Sequence, residues 1–291
     1  MSTTIESPAP ARPAGPARPS GARRAALALR GRLPGLALDG TVALIYLFLY
    51  LPAIVIAVYA FSAGRTMSWP IDGLTLSWFE TAYSDDGLME GLRNTLKVAS
   101  ISTVAALLLG VPAGFALDRF DFPGKALFQR MLMAPFLVPG VVSGMALLSL
   151  FLELDVRLSL TTVVITHTTM LLGVFVILTV VTLQRWDRSY EQAAMDLGAN
   201  ELRTFWFVVL PNMKSALIGA ALLGLTVSLD EITRTFFVTG TDNTLPMVVM
   251  SRLRTELSPA INAIGTTIIG ISLLGLLIWS LLFRKRGATP L

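Results

Sequence analysis

Three ionisable side chains stand close together in an otherwise apolar stretch: Asp230, Glu231 and Arg234. Charges at membrane depth are costly, so they either line a path for a charged substrate or pair to fix packing. Asp230 and Arg234 are four apart, the spacing that puts two side chains on one helix face, and they are expected to pair. Glu231 lies about a quarter-turn away and is free to point elsewhere, where a carboxylate suits a cationic substrate. A second polar island is His167 with Thr166, Thr168 and Thr169. It can hydrogen-bond a substrate or satisfy a polar group on a neighbouring helix. Pro139-Gly140 is the third candidate. A proline there either unwinds the helix and offers carbonyls to a ligand, or kinks it while neighbours satisfy the freed groups. Ser143, between Gly140 and Gly144, offers a hydroxyl nucleophile and His167 a base, which is a hydrolase reading. Glycines at those positions equally suit close helix packing.

Several chemistries are excluded by composition. The chain has no cysteine and one histidine, so no disulfide, no thiolate nucleophile and no metal site is expected. Gly124-Lys125 is the only Gly-Lys pair and lacks the rest of a phosphate-binding loop, so ATP is not expected to be hydrolysed by this chain. No cofactor is expected on it.

The elements that must position these residues are membrane helices. Of 291 residues 54% are hydrophobic and 14% charged, with a mean hydropathy of +0.68. Such a chain has too much apolar surface for water. Residues 1–38 are rich in Pro, Ala and Arg and read as a disordered tail, not a signal peptide. Residues 39–291 read as one all-α transmembrane domain. Six spans are expected, at about 41–61, 95–117, 131–152, 160–183, 215–238 and 262–283, each near the ~20 residues that cross a bilayer. Small residues four apart, Ala106-Gly110-Gly114 and Ala216-Ala220-Gly224-Ser228, predict close helix packing. Most of the 23 Lys and Arg fall in the tail, near 119–130, in 185–214 and at Arg284-Lys285-Arg286. That distribution puts both termini in the cytoplasm and accounts for the basic charge without a nucleic-acid partner. On the opposite side, Trp69, Trp78, Phe79 and Tyr83 in 63–92 predict an interfacial helix, or a surface for an external protein.

The most patterned segment is 184–214, QRWDRSYEQAAMDLGANELRTFWFVVLPNMK. Tyr190, Ala193, Ala194 and Leu197 mark one apolar face of a short helix. Gly198 is expected to stop it with a positive φ, and a second helix runs from about Glu201 to Val209 and ends at Pro211. The result is a knob of two short helices.

This segment resembles the EAA motif of ABC importer permeases. Ala193 and Ala194 match its alanines, Gly198 its glycine, Val208 its isoleucine and Leu210-Pro211 its close; Gln192 stands at the motif glutamate, with Glu191 and Asp196 beside the match. The resemblance implies a type I ABC importer permease fold and a role for the knob in coupling to a separate ATPase. It also implies an inner-membrane location and a set of partners. These are a homologous permease subunit, two ATPase subunits that carry the ATP and Mg, and an external substrate-binding protein. Asn94-Thr95-Leu96, SLDEITRTFFVTG (228–240), TLPMVV (244–249) and LSPAINAIGT (257–266) are most similar to the second permease subunit of spermidine/putrescine importers. The implied substrate is a polyamine or similar small organic cation. Permeases for iron(III), thiamine, phosphonates and opines share the broader pattern. An ion-coupled secondary transporter is the alternative of another class; it calls for inverted repeats, which the sequence does not display.

Overall fold

The computed structural model describes residues 21–65, 67–255 and 258–283. The first twenty residues and Arg284-Lys285-Arg286, on which part of the orientation argument rests, lie outside them. Helices follow one another with no strand among the described residues. The order is α1 (Gly21–Ala60), α2 (Ser77–Ser84), α3 (Asp86–Arg119), α4 (Lys125–Leu137), α5 (Gly140–Glu153) and α6 (Leu160–Gln184). Then come α7 (Ser189–Asp196), α8 (Glu201–Thr204), a wide π-turn (Phe205–Val209) and α9 (Leu210–Asn212). The chain continues with α10 (Lys214–Leu229), α11 (Thr235–Val238), α12 (Leu245–Thr255) and α13 (Pro259–Phe283).

The chain divides into two compact units, Met1–Ile56 and Ala57–Leu291. The unit boundary falls inside α1, not at the composition change near residue 38. Helix α1 already runs from Gly21, so residues 21–38 are helical where a disordered tail was expected. The Ala- and Leu-rich run 25–29 favours helix, whereas Gly31, Pro34 and Gly35 between it and the apolar stretch do not.

Three helical stretches, Leu38–Ala60, α3 and α6, are long and apolar enough to cross a membrane. Two bent pairs qualify if each counts as one span: α4 with α5 at 109°, and Glu201–Asn212 with α10 at 72°. The expected sixth span falls on α13, which counts as a shorter apolar helix over Pro259–Ile271. Expected span three is therefore not one straight helix. It breaks at Val138-Pro139, because Pro139 has no N–H to donate to Pro135 O and the ladder stops there. Expected span five ends at Leu229, nine residues early, and its polar end 230–234 is a turn before α11.

The core of the larger unit is α3 against α6 and α10. A Cβ on Gly110 would lie 2.9 Å from Phe175 Cβ, and one on Gly114 2.7 Å from Thr179 Cβ. The stripe of small residues thus brings the backbones of α3 and α6 into contact. Ala106, Met170, Leu171, Phe175 and Ala220 are buried around it. The 63–92 segment is a loop, α2 and the first turns of α3, not one interfacial helix. Trp78 and Phe79 pack inward, Trp78 Nε1 donating to Ser62 O at 2.8 Å, while Trp69 stays exposed.

Candidate functional site

The helix breaks bring the sequence-predicted polar residues together, with one change of partner. Asp230 caps the end of α10 and is exposed. Arg234 pairs with Glu231 instead, Nη1 donating to Oε2 at 2.7 Å. Both side chains are about nine-tenths buried. The expected Asp230–Arg234 pair required a continuous helix. Because the chain leaves the helix at Leu229, the i,i+3 turn carries the pair, and Glu231 Oε1 also accepts the Arg234 N–H at 2.9 Å.

Arg234 uses all five of its N–H donors. Nε donates to Ser143 Oγ (2.9 Å), Nη1 to Glu231 and Met170 Sδ (3.2 Å), and Nη2 to Pro135 O and Val138 O (both 3.3 Å). Pro135 O is the carbonyl that Pro139 leaves without a helical donor. Arg234 thus fills the break between α4 and α5, and Pro139-Gly140 does not present bare carbonyls there. Gly140 lies close to Thr233 and Arg234, where a Cβ would meet Thr233 Cγ2 at 3.2 Å.

His167 is buried and joins α6 to both sides of a second break, the turn 230–234 between α10 and α11. Its Nδ1 lies 2.7 Å from Ser228 Oγ and its Nε2 2.8 Å from Thr235 Oγ1. Thr235 donates its hydroxyl proton to Glu231 O at 2.7 Å. Its oxygen therefore accepts from Nε2–H, and Nδ1 accepts from Ser228. This leaves the ring no free nitrogen to activate Ser143, whose hydroxyl is 3.1 Å from Gly140 O and accepts from Arg234. The pair required by the hydrolase reading is absent. Beside the breaks lies a cleft of about 560 Å³, mostly apolar, lined by Val141, Ile232, Phe236, Phe237, Met247 and Met250 among others. Among the described residues no group of three or more His, Asp or Glu could hold a metal ion.

The knob is built differently. Gly198 has φ +90°, which only glycine adopts without strain, and it closes α7 through its N–H to Met195 O (2.9 Å). Asn200 Oδ1 then caps α8 by accepting from Arg203 N–H at 2.9 Å. The second helix does not end at Pro211. In the π-turn Leu210 N–H donates back to Phe205 O, and Asn212 Nδ2 donates to Val208 O at 2.8 Å. Pro211, with no N–H, sits where the ladder is already interrupted, so the helix passes through it to Asn212. Phe205 and Val209 are buried with Val111, Leu183 and Met213, and fix this half of the knob on the ends of α3, α6 and α10.

Helix α7 turns Glu191 inward and Tyr190 and Met195 outward. Glu191 is buried and accepts from Arg119 Nε (2.9 Å) and Nη2 (2.5 Å). Arg119 also pairs with Asp118, and Arg188 approaches that carboxylate at 3.5 Å. Gln192, Ala193 and Asp196 are exposed, as is Tyr190, and Leu197 keeps 90% of its surface. Leu202, Trp206 and Phe207 extend the open apolar surface. From the sequence Arg119, Ser228 and Thr235 were not picked out as site residues, and Ser143 only as a nucleophile, not as a partner of Arg234. Each is distant along the chain from the group it serves.

Residues 106–286 match the family described as binding-protein-dependent transport system inner membrane component. The chain belongs to that family. It is 34% identical over 249 residues to the putrescine transport system permease protein of Escherichia coli, covering 82% of this chain and 88% of that one. It is 31% identical over 250 residues to the spermidine/putrescine transport system permease protein of the same species, covering 85% and 94%. Among solved structures, a bacterial alginate ABC transporter in complex with an alginate pentasaccharide-bound periplasmic protein has a chain of the same fold. The TM-score is 0.66 at 14% identity, over 90% of this chain and 97% of that one. The family member described here is thus the permease of an ABC importer, most like polyamine permeases. The relatives are transport permeases and not enzymes.

Proposed function

We propose that this chain is one of two permease subunits of an ATP-driven importer, with both termini in the cytoplasm and six membrane passages. In this reading the knob, residues 189–212, seats in a separate ATPase, and a periplasmic binding protein delivers the substrate from the other side. The supporting observation is the inverted polarity of α7: its glutamate is tied to α3 while Tyr190, Met195 and Leu197 face out. An exposed apolar surface of this kind marks a partner site. A helix pair pinned at its root passes on a displacement that a loose loop would absorb. The test is Gly198→Asp in the purified complex. A side chain at φ +90° strains the turn, so the variant is expected to insert normally and lose the co-purifying ATPase. Normal retention of the ATPase and normal transport would sink the docking role.

The proposed substrate is a polyamine, supported by the likeness to the two polyamine permeases and by the charge at the second break. Glu231 is neutralised by Arg234, so Asp230 is the carboxylate left for a cation. It sits at the C-terminal end of α10, where the helix dipole is also negative, and a passing ammonium group relieves both. Asp230→Asn is expected to slow uptake of labelled putrescine or spermidine about tenfold without loss of protein, on the order of 1.4 kcal/mol at the barrier. Unchanged uptake would remove Asp230 from the path, and a binding protein that selects an anion would remove the polyamine assignment.

A further inference from the structure

Helix α3 is fastened at both of its ends by a forked arginine–carboxylate pair, and neither pair belongs to the helix breaks described above. At one end Arg119 grips Glu191 of the knob. At the other, Asp85, the N-cap of α3, accepts from Arg252 Nη1 (2.6 Å) and Nη2 (2.8 Å) of α12. Two further side chains fix the same end. Asn94 Nδ2 donates to Asn243 O at 3.0 Å, and Thr95 Oγ1 accepts from Leu245 N–H at 2.7 Å. The backbones nearly touch there: a Cβ on Gly91 would lie 3.2 Å from Leu245 N. Between the two fastenings α3 is one helix of 34 residues, about 50 Å long at 1.5 Å per residue. Its middle is braced by the tight contact with α6.

We infer that α3 is the rod through which the knob and segment 243–255, at the opposite end of the chain's core, move together, with Arg119–Glu191 and Asp85–Arg252 as its two fastenings. The inference rests on the knob being the ATPase-docking element. A bidentate pair suits this task because it resists rotation as well as separation. The helix runs on through Pro112, which takes away the hydrogen bond to Leu108 O; the rest of its ladder lies along the axis and carries a push. The residues named are positioning residues, and their role is coupling between two distant surfaces.

The test uses the whole complex in liposomes: this chain, the second permease, the ATPase and the binding protein. ATP hydrolysis is read with and without saturating binding protein. Arg119→Lys and Asp85→Asn each remove the fork while keeping the side chain's length or shape. Each is expected to leave the ATPase attached and to cut the stimulation by binding protein about tenfold, a coupling energy of ordinary size. Sites this far apart normally act additively. The rod predicts otherwise: the double variant falls no further than the weaker single one. Unchanged stimulation in either single variant, or a double variant that loses the product of the two effects, overturns the rod. Should Arg119→Lys fail to accumulate, Arg252→Lys with Glu191→Gln repeats the comparison under the same criteria. Gly198→Asp runs alongside. If it loses the ATPase while both fastening variants respond normally, the rod alone is wrong. If it keeps both ATPase and stimulation, the docking reading fails and takes the rod with it.

Discussion

The helix breaks and the knob hold the chain's charged and aromatic side chains in opposite ways. At the breaks Arg234 spends every donor on acceptors of its own chain, and His167 has a partner on each nitrogen. At the knob Glu191 is likewise held within the chain, but Leu197, Leu202, Trp206 and Phe207 are left in the open. Burying a guanidinium in a span is tolerable only when its partners are already in place. Leu197 and Phe207 are the most open apolar side chains of the knob, at 90% and 79% exposure. The polar groups at the breaks are satisfied within this chain; in the proposed docking role the knob's open apolar residues meet another chain.

That contrast can be broken most forcefully at Arg234. Arg234→Ala leaves Glu231 buried without its partner and returns Pro135 O to an unmet state. A loss of about 3–5 kcal/mol is expected, read as a large drop in melting temperature and in monodisperse protein in detergent. A variant as stable as the parent would mean that the break does not depend on this residue. At the knob the same kind of measurement should stay flat. Leu197→Glu is expected to leave the chain's own stability within about 0.5 kcal/mol, yet to weaken ATPase retention by about 2 kcal/mol, the scale of an interface hot spot. Loss of chain stability without loss of binding would invert the comparison.

The smallest expected effect is at Asp85, whose carboxyl is held below its ordinary value of 3.8 chiefly by the hydrogen bond from Arg252. A depressed carboxyl stabilises the fold above its ordinary pKa, and that stabilisation is lost as pH falls through the lowered value. The fastening should hold unchanged from pH 7 to pH 5 and weaken only below about pH 4. Denaturation profiles of the parent and Asp85→Asn should therefore converge in acid; a constant difference down to pH 3 would show that the charge is irrelevant.

Much of this architecture was legible in the sequence because it depends on local chemistry. Runs of apolar residues determined where helices lie, the small-residue stripe determined which face of α3 is closely packed, and Gly198 determined where α7 ends, since each rests on neighbours within a turn or two. The knob's motif spacing led to the family for the same reason. The partners were decided by tertiary structure. Whether Arg234 pairs with Asp230 or Glu231 depends on whether α10 continues past Leu229. The chain instead turns there, so that Thr235 reaches His167 and the guanidinium reaches Pro135 O. The same holds for Arg119, which in the sequence is one more basic residue at the end of a span, 72 positions from the glutamate it grips. Periodicity assigns a side chain to a face of its own helix, but what stands opposite that face is fixed only when distant helices pack, because the choice of partner is made by the backbone path between them.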